Sequence, residues 1–208
     1  MTALAALRDI LVPPRCAGCG RPGSWFCVVC RDECEPFEHA LSPALTVVAA
    51  GAHEGPLREA IHRLKYGSEP GLAAELGALV AARVAADLAT GVTLDAIVPV
   101  PLHPLRRRER GYDQAAALGS AIASACGLPL RDDLHRIRRG EAQATLGRTA
   151  RAGNVRGAFA GVAGSLRGLR AGLVDDVATT GATLLDAAAA ARACGARAIR
   201  AYVVAFEQ

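Results

Sequence analysis

Aromatic side chains make up only 4% of this sequence, with one Trp, three Tyr and four Phe in 208 residues. The core must then be built from Ala, Leu and Val, and surfaces for stacking nucleobases are scarce. An apolar run long enough to cross a bilayer is also missing. The longest Ala-rich stretch, Leu76 to Val92, is interrupted by Arg83 and Asp87, so membrane insertion is not expected. Met1 to Leu11 has neither a basic leader nor a clean apolar centre, which argues against a secretory signal and for the cytoplasm. No G-x-x-x-x-G-K-[ST] loop occurs, and no G-x-G-x-x-G directly precedes the Asp-Thr run described below. Those two kinds of nucleotide loop are excluded there.

What is present is an ordered, mildly basic chain. Hydrophobic residues reach 51%, charged ones 21%, and the net charge is +4. A packed core is expected and global disorder is not. The charge alone does not indicate nucleic acid, but its distribution suits an anionic ligand. Arg106, Arg107, Arg108 and Arg110 cluster, and Arg131, Arg136, Arg138, Arg139, Arg148, Arg151 and Arg156 follow along a later segment. Arginine offers forked donors matched to phosphate, although a solvated basic surface would carry the same residues.

Periodicity predicts strands over Thr46 to Ala52, Asp95 to Val100, Gly172 to Val177 and Ala198 to Phe206. Helices are predicted over Pro56 to Tyr66, Gly71 to Leu88, Tyr112 to Cys126 and Ala182 to Cys194. Met1 to Leu11 puts Leu4, Leu7 and Leu11 on one helical face before Pro13-Pro14. Gly140 to Asn154 is polar, Arg-rich and weakly periodic, so it reads as a long loop. Alternating strands and helices give an α/β class with a mainly parallel sheet. Residues 1–43 read as an N-terminal helix and cysteine module, and 44–208 as the main domain.

Seven cysteines in a reducing compartment point to metal or free thiols before disulfides. Cys16-Ala-Gly-Cys19 and Cys27-Val-Val-Cys30 are two C-x-x-C turns. Each turn aims two thiolates at one point, and two together supply a closed tetrahedral zinc site. Redox motifs are the competing explanation, but no thioredoxin pattern surrounds the pairs. The spacing leaves Cys34 as an alternative ligand. A closed four-ligand site has no open position for chemistry, so the zinc is expected to be structural.

The second constellation is Leu173-Val174-Asp175-Asp176-Val177-Ala178-Thr179-Thr180-Gly181-Ala182-Thr183-Leu184. An apolar strand ends in two carboxylates, and a hydroxyl-rich turn then enters a helix. Free N–H groups and the dipole at a helix start favour an anion. Thr179, Thr180 and Thr183 add hydroxyls, and Gly181 permits close backbone approach. Asp175 and Asp176 can hold sugar hydroxyls or a magnesium-bound water shell. A plain strand end with an ordinary Thr cap would explain one Thr but not the whole run.

This run resembles the diphosphate-sugar signature of type I phosphoribosyltransferases. The rest of the chain resembles their ComF branch (competence protein F-like, amidophosphoribosyltransferase-like). The match lies in the four cysteines, Leu57-Arg58 to Lys65-Tyr66-Gly67, Val98-Pro99-Val100-Pro101-Leu102 and Arg108-Glu109-Arg110-Gly111-Tyr112-Asp113-Gln114. It continues in Gln143 through Arg151, Asn154 and Phe159. The chain departs from the pattern at Gly140-Glu141-Ala142, at Asp113, where Asn is usual, and at Gly51-Ala52-His53.

The resemblance implies a type I phosphoribosyltransferase fold acting on phosphoribosyl diphosphate with magnesium. Asp175 and Asp176 would hold the ribose, and Val177, Ala178, Thr179, Thr180, Gly181, Ala182 and Thr183 would surround its phosphate. Pro101, Leu102, His103, Arg108, Arg110, Gly111 and Gln114 would face the pyrophosphate. Arg136, Arg138, Gln143, Arg151 and Asn154 would belong to a mobile lid. A link to DNA uptake is also implied. The competing function is a binding module that holds single-stranded DNA, working with DNA-uptake proteins, with the phosphate site as sensor or grip. A homodimer is a further expectation. The other histidines, His39, His53, His62 and His135, read as surface or core filler.

Overall fold

Apolar residues that alternate between two buried faces write the central sheet of the computed structural model, which describes residues 13–67, 69–137 and 157–207. In β2 (Leu45–Ala52), Leu45, Val47 and Ala49 face one core, whereas Val48 and Ala50 face the other. The strand therefore reads as a near-continuous apolar run, as strands covered on both faces do.

The main sheet has five strands in the order β1-β2-β7-β6-β3. Its members are β1 (Phe37–Ser42), β2, β3 (Ala96–Pro99), β6 (Arg170–Ala178) and β7 (Ala198–Phe206). β2, β7, β6 and β3 pair in parallel, and β1 is an antiparallel edge on β2. β1 lies among the residues read from sequence as N-terminal module, but its backbone joins the sheet. A separate pair, β4 (Leu134–Arg136) and β5 (Phe159–Gly161), is antiparallel.

The helices are α1 (Val28–Asp32), α2 (Gly55–Tyr66), α3 (Pro70–Ala89), α4 (Pro104–Arg110), α5 (Gln114–Cys126) and α6 (Ala182–Ala193). One sheet face is covered by α2, α3, α5 and the cysteine segment, whose Phe26 joins a core with Ile61, Leu76, Leu118 and Val204. The other face is covered by α6 and the β4–β5 pair, through Leu134, Phe159, Leu184 and Ala188. Buried Leu57, Ala60, Ile61 and Leu64 make the i, i+3, i+4, i+7 stripe that turns α2 inward. The architecture is thus an α/β fold with a mainly parallel sheet between helices, with a four-cysteine cluster near the N-terminus. Among the described residues no helix is long and apolar enough to cross a membrane.

The predicted strands and helices between Thr46 and Phe206 all form, with ends displaced by a few residues, whereas the helix read over Met1 to Leu11 lies outside the described residues. Sequence periodicity missed β1, β4, β5, α1 and α4. The fold brings β3 beside β6 in register, with Val98 opposite Leu173 and Pro99 opposite Val174. Their carboxyl ends, where ligands of open α/β sheets gather, are therefore neighbours.

Candidate functional site

β6 carries Asp175 and Asp176 on successive positions, so their side chains leave opposite faces of the strand end. Asp176 is 9% exposed. Its Oδ1 lies 3.1 Å from Lys65 Nζ at the end of α2. Asp175 Oδ1 accepts the backbone N–H of Asp176 at 2.8 Å. Burial, and then the adjacent Asp176 carboxylate, push the Asp175 carboxyl up to about 7.

After Ala178 the chain bends through Thr179 and Thr180 into α6. The capping residue is Gly181, in the left-handed region at φ 71° and ψ 3°, with no side chain to offer. An ordinary Thr cap is therefore not the explanation of this run. Thr180 Oγ1 accepts the Ala182 N–H at 3.4 Å. Val177, Ala178, Thr179, Thr180, Gly181, Ala182, Thr183 and Leu184 together line a hollow of about 50 Å³. The α6 start faces it with N–H groups that have no partner within the helix.

The segment after β3 meets this edge from the side. A small cavity of about 30 Å³ brings together Asp175, Asp176 and Thr183 with Pro101, Leu102, Gln114 and Arg136. A larger one of about 590 Å³ shares Pro101, Leu102 and Arg136 with it and adds Arg107, Arg108 and Gly111. α4 exists because Pro104 occupies its first turn and His103 Nδ1 accepts the Leu105 N–H at 3.2 Å. His103, the one histidine singled out for the site, is thus occupied as a cap. Arg110 donates to Gln114 Oε1 at 3.0 Å.

Two further residues join this candidate site: Asp113, within the Arg108 to Gln114 stretch read as facing the pyrophosphate, and Lys65, which had no assigned role. Asp113 caps α5 by accepting the Ala116 N–H at 3.1 Å, and its other oxygen accepts the Leu102 N–H at 3.3 Å. One carboxylate so ties the turn after β3 to α5, and its place just before a helix was the signal for it. Lys65 lay inside a quoted motif, but nothing local links it to Asp176, 111 positions away in the numbering. Arg136 projects from β4 with its guanidinium 5.2 Å from the Phe159 ring centre. Its Nε is buried without a partner among the described residues, and burial lowers its pKa. Arg138, Gln143, Arg151 and Asn154 lie outside the described residues, as does the predicted loop at Gly140 to Asn154.

Near the N-terminus, the sulfurs of Cys16, Cys19, Cys27 and Cys30 all lie within 4.8 Å of one another. Cys16 and Cys30 sulfurs are 3.7 Å apart, and Cys19 and Cys27 sulfurs 3.5 Å apart. A tetrahedron of thiolates about 2.3 Å from zinc has edges of about 3.8 Å, so the four residues fit that ion. Gly20, at φ 76°, returns its N–H to the Cys16 carbonyl at 2.9 Å and closes the first turn. Burial pushes the Cys16 thiol up, but N–H groups of Cys27, Cys19 and Gly18 outweigh it and bring it down to about 6. Burial and the surrounding sulfurs push Cys30 up, which is what a crowded thiol set does without a cation. Cys34 stands apart, donating to the Cys30 carbonyl at 3.3 Å.

No family model matches the chain, and no curated protein matches it. Solved structures are similar over part of their length, three of them as follows. The glutamine phosphoribosylpyrophosphate amidotransferase from B. subtilis, complexed with ADP and GMP, is 21% identical over 69% of this chain, with a TM-score of 0.47. The allosteric regulatory enzyme of purine biosynthesis is 22% identical over 69% of this chain, with a TM-score of 0.44. UMP synthase of Leishmania donovani is 20% identical over 72% of this chain, with a TM-score of 0.35. The match spans 30%, 30% and 23% of those three chains, respectively.

Proposed function

We propose that the chain binds phosphoribosyl diphosphate with magnesium and displaces pyrophosphate at the anomeric carbon of the ribose. The observation that carries this is the β3–β6 pairing. It sets a carboxylate pair, a hydroxyl-rich helix start and an Arg-bearing turn at one sheet edge.

Each group has a chemical task in this reading. The N–H groups at the start of α6 and the hydroxyls of Thr179, Thr180 and Thr183 hold the 5-phosphate. Asp175 and Asp176 accept from the ribose hydroxyls, and their field favours the positive charge that develops on the sugar ring. Pro101, Leu102 and Gly111 shape the pyrophosphate side, where Arg108 and Arg110 supply cationic donors. Magnesium fits the hard oxygen donors of this edge and, when bound, supplies neutralisation of the leaving pyrophosphate. The acceptor is left open by these residues. Cys16, Cys19, Cys27 and Cys30 would hold a structural zinc that takes no part in the transfer.

The single-stranded DNA alternative has little stacking surface near the cysteines, and its exposed ring is Tyr66 on α2. Phe26 is fully buried, and a Cβ on Gly71 would lie 2.1 Å from Trp25 Nε1, so that indole packs closely on α3. Calorimetry with phosphoribosyl diphosphate and magnesium tests the proposal. Binding at about micromolar Kd that disappears in an Asp175→Asn, Asp176→Asn variant is expected. The same affinity in the folded double variant would overturn it.

A further inference from the structure

The motif ending in Lys65-Tyr66-Gly67 has no task in the function proposed above, yet the last turn of α2 meets that site three times. Lys65 Nζ lies 3.1 Å from Asp176 Oδ1. The Leu64 carbonyl accepts the Tyr112 hydroxyl. The Arg110 guanidinium sits over the Tyr66 ring, 5.4 Å from its centre, and the same Arg110 donates to Gln114. Three consecutive residues so touch both the ribose side and the pyrophosphate side of one site.

The composition adds an independent observation. The chain has 24 basic residues of the Lys and Arg type, and Lys65 is its only lysine. At every other such position the chain uses arginine. The two groups differ where a carboxylate must also serve a ligand. A guanidinium fork engages both carboxylate oxygens, whereas an ammonium is a compact point charge that one oxygen can meet. Asp176 bound through Oδ1 still presents Oδ2 as an acceptor.

We infer that Lys65 is a positioning residue of the phosphoribosyl diphosphate site, holding Asp176 with its charge compensated so that a polyanionic sugar phosphate can approach the carboxylate pair. The inference rests on the binding proposed above. Two adjacent carboxylates in a partly buried edge repel phosphate strongly, because solvent and salt screen them poorly there. The Lys65 side chain is 23% exposed and that of Asp176 12%, so the pair belongs to this poorly screened regime and not to the solvated surface.

The lone lysine makes a direct test available. Reductive methylation with ¹³C-formaldehyde places NMR-visible methyl groups on Lys65 and the N-terminal amine and keeps their charge. The Lys65 signal is the one absent from K65R. In the ligand-free protein, D176N is expected to move that signal, and magnesium with phosphoribosyl diphosphate to move it again in the wild type. A Lys65 signal indifferent to D176N would show no pair and overturn the inference.

Calorimetry supplies the functional arm. K65M should bind phosphoribosyl diphosphate about tenfold more weakly, and K65R should recover part of the loss. In a D176N background K65M should cost nothing further, because Lys65 acts through Asp176. Wild-type affinity in folded K65M, or a K65R no better than K65M, overturns the role of Lys65 alone. A wild type that fails to bind overturns the binding reading as well. That outcome is told apart because the D176N shift of the Lys65 signal would persist as a purely structural pair.

Discussion

Glu75 Oε2 accepts the backbone N–H of Phe26 at 2.7 Å, which fastens the cysteine segment to the second turn of α3. The other oxygen accepts the Trp25 N–H at 2.9 Å, and Arg31 donates to the same carboxylate at 2.9 Å. One side chain thus satisfies two main-chain donors between the two C-x-x-C turns. Glu75→Ala leaves both N–H groups without their acceptor and should cost about 3 kcal/mol. Glu75→Gln keeps one acceptor and should cost less. Urea unfolding, with the midpoint converted to free energy, measures both.

The cysteine cluster predicts about one zinc per chain in protein purified without chelator. Cys16→Ser or Cys30→Ser removes a buried ligand and should abolish stoichiometric binding. Acidification should release the metal as the thiolates protonate, and a chelator at neutral pH should lower Tm. Elemental analysis finding no zinc in the wild type would overturn the site.

How far sequence reached depended on whether a feature was contiguous. β6 was legible because Leu173 to Val177 is apolar up to the Asp pair, and the Asp-Thr run is unbroken in the chain. The cysteine turns were legible for the same reason. α4 was not, since Pro104–Arg110 has no buried residue and so no apolar stripe to read. β4 and β5 have three residues each, too few for any period. β1 is an edge whose Glu38, His39 and Ala40 are exposed, which hides the alternation. Lys65 pairs with Asp176, and Asp113 and Arg136, from two other places in the chain, line a cavity with Asp175 and Asp176. Only the pairing of β3 with β6 and the packing of α2, α5 and β4 around it bring them there.

Asp175 makes stability depend on pH in a direction opposite to most carboxylates. Its unfolded value is about 3.9, and its folded value is pushed up to about 7 by burial and Asp176. The folded protein therefore binds the extra proton between those limits. The resulting penalty is absent below pH ~4, grows as pH rises through that window, and is fully present above pH ~7. Asp175→Asn should remove this slope and raise stability at pH 8 by up to about 4 kcal/mol, with little effect near pH 4. Urea midpoints at the two pH values give the comparison, and parallel pH profiles would defeat it. The same variant should lose phosphoribosyl diphosphate binding, so stability and ligand affinity move in opposite directions at one position.

Gly181 allows a backbone argument to be separated from a steric one. At φ 71° any L side chain is strained, and a Cβ there would lie 2.3 Å and 2.6 Å from the two terminal methyl carbons of Leu41 in β1. Gly91 has φ 95° but nothing within 4 Å of its Cβ position. Gly91→Ala should therefore show the conformational cost alone, about 1–2 kcal/mol. Gly181→Ala should cost about 1–3 kcal/mol more, since Leu41 or the turn must shift. Adding Leu41→Ala should relieve that clash without relieving the backbone strain, although it removes contacts of its own. Because the turn also carries the phosphate-facing N–H groups, Gly181→Ala should weaken phosphoribosyl diphosphate binding at least about tenfold, a loss of about 1.4 kcal/mol. Gly91, at the end of α3, should leave binding unchanged. Equal effects of the two substitutions on stability and affinity would mean that the β1 contact does not shape the turn.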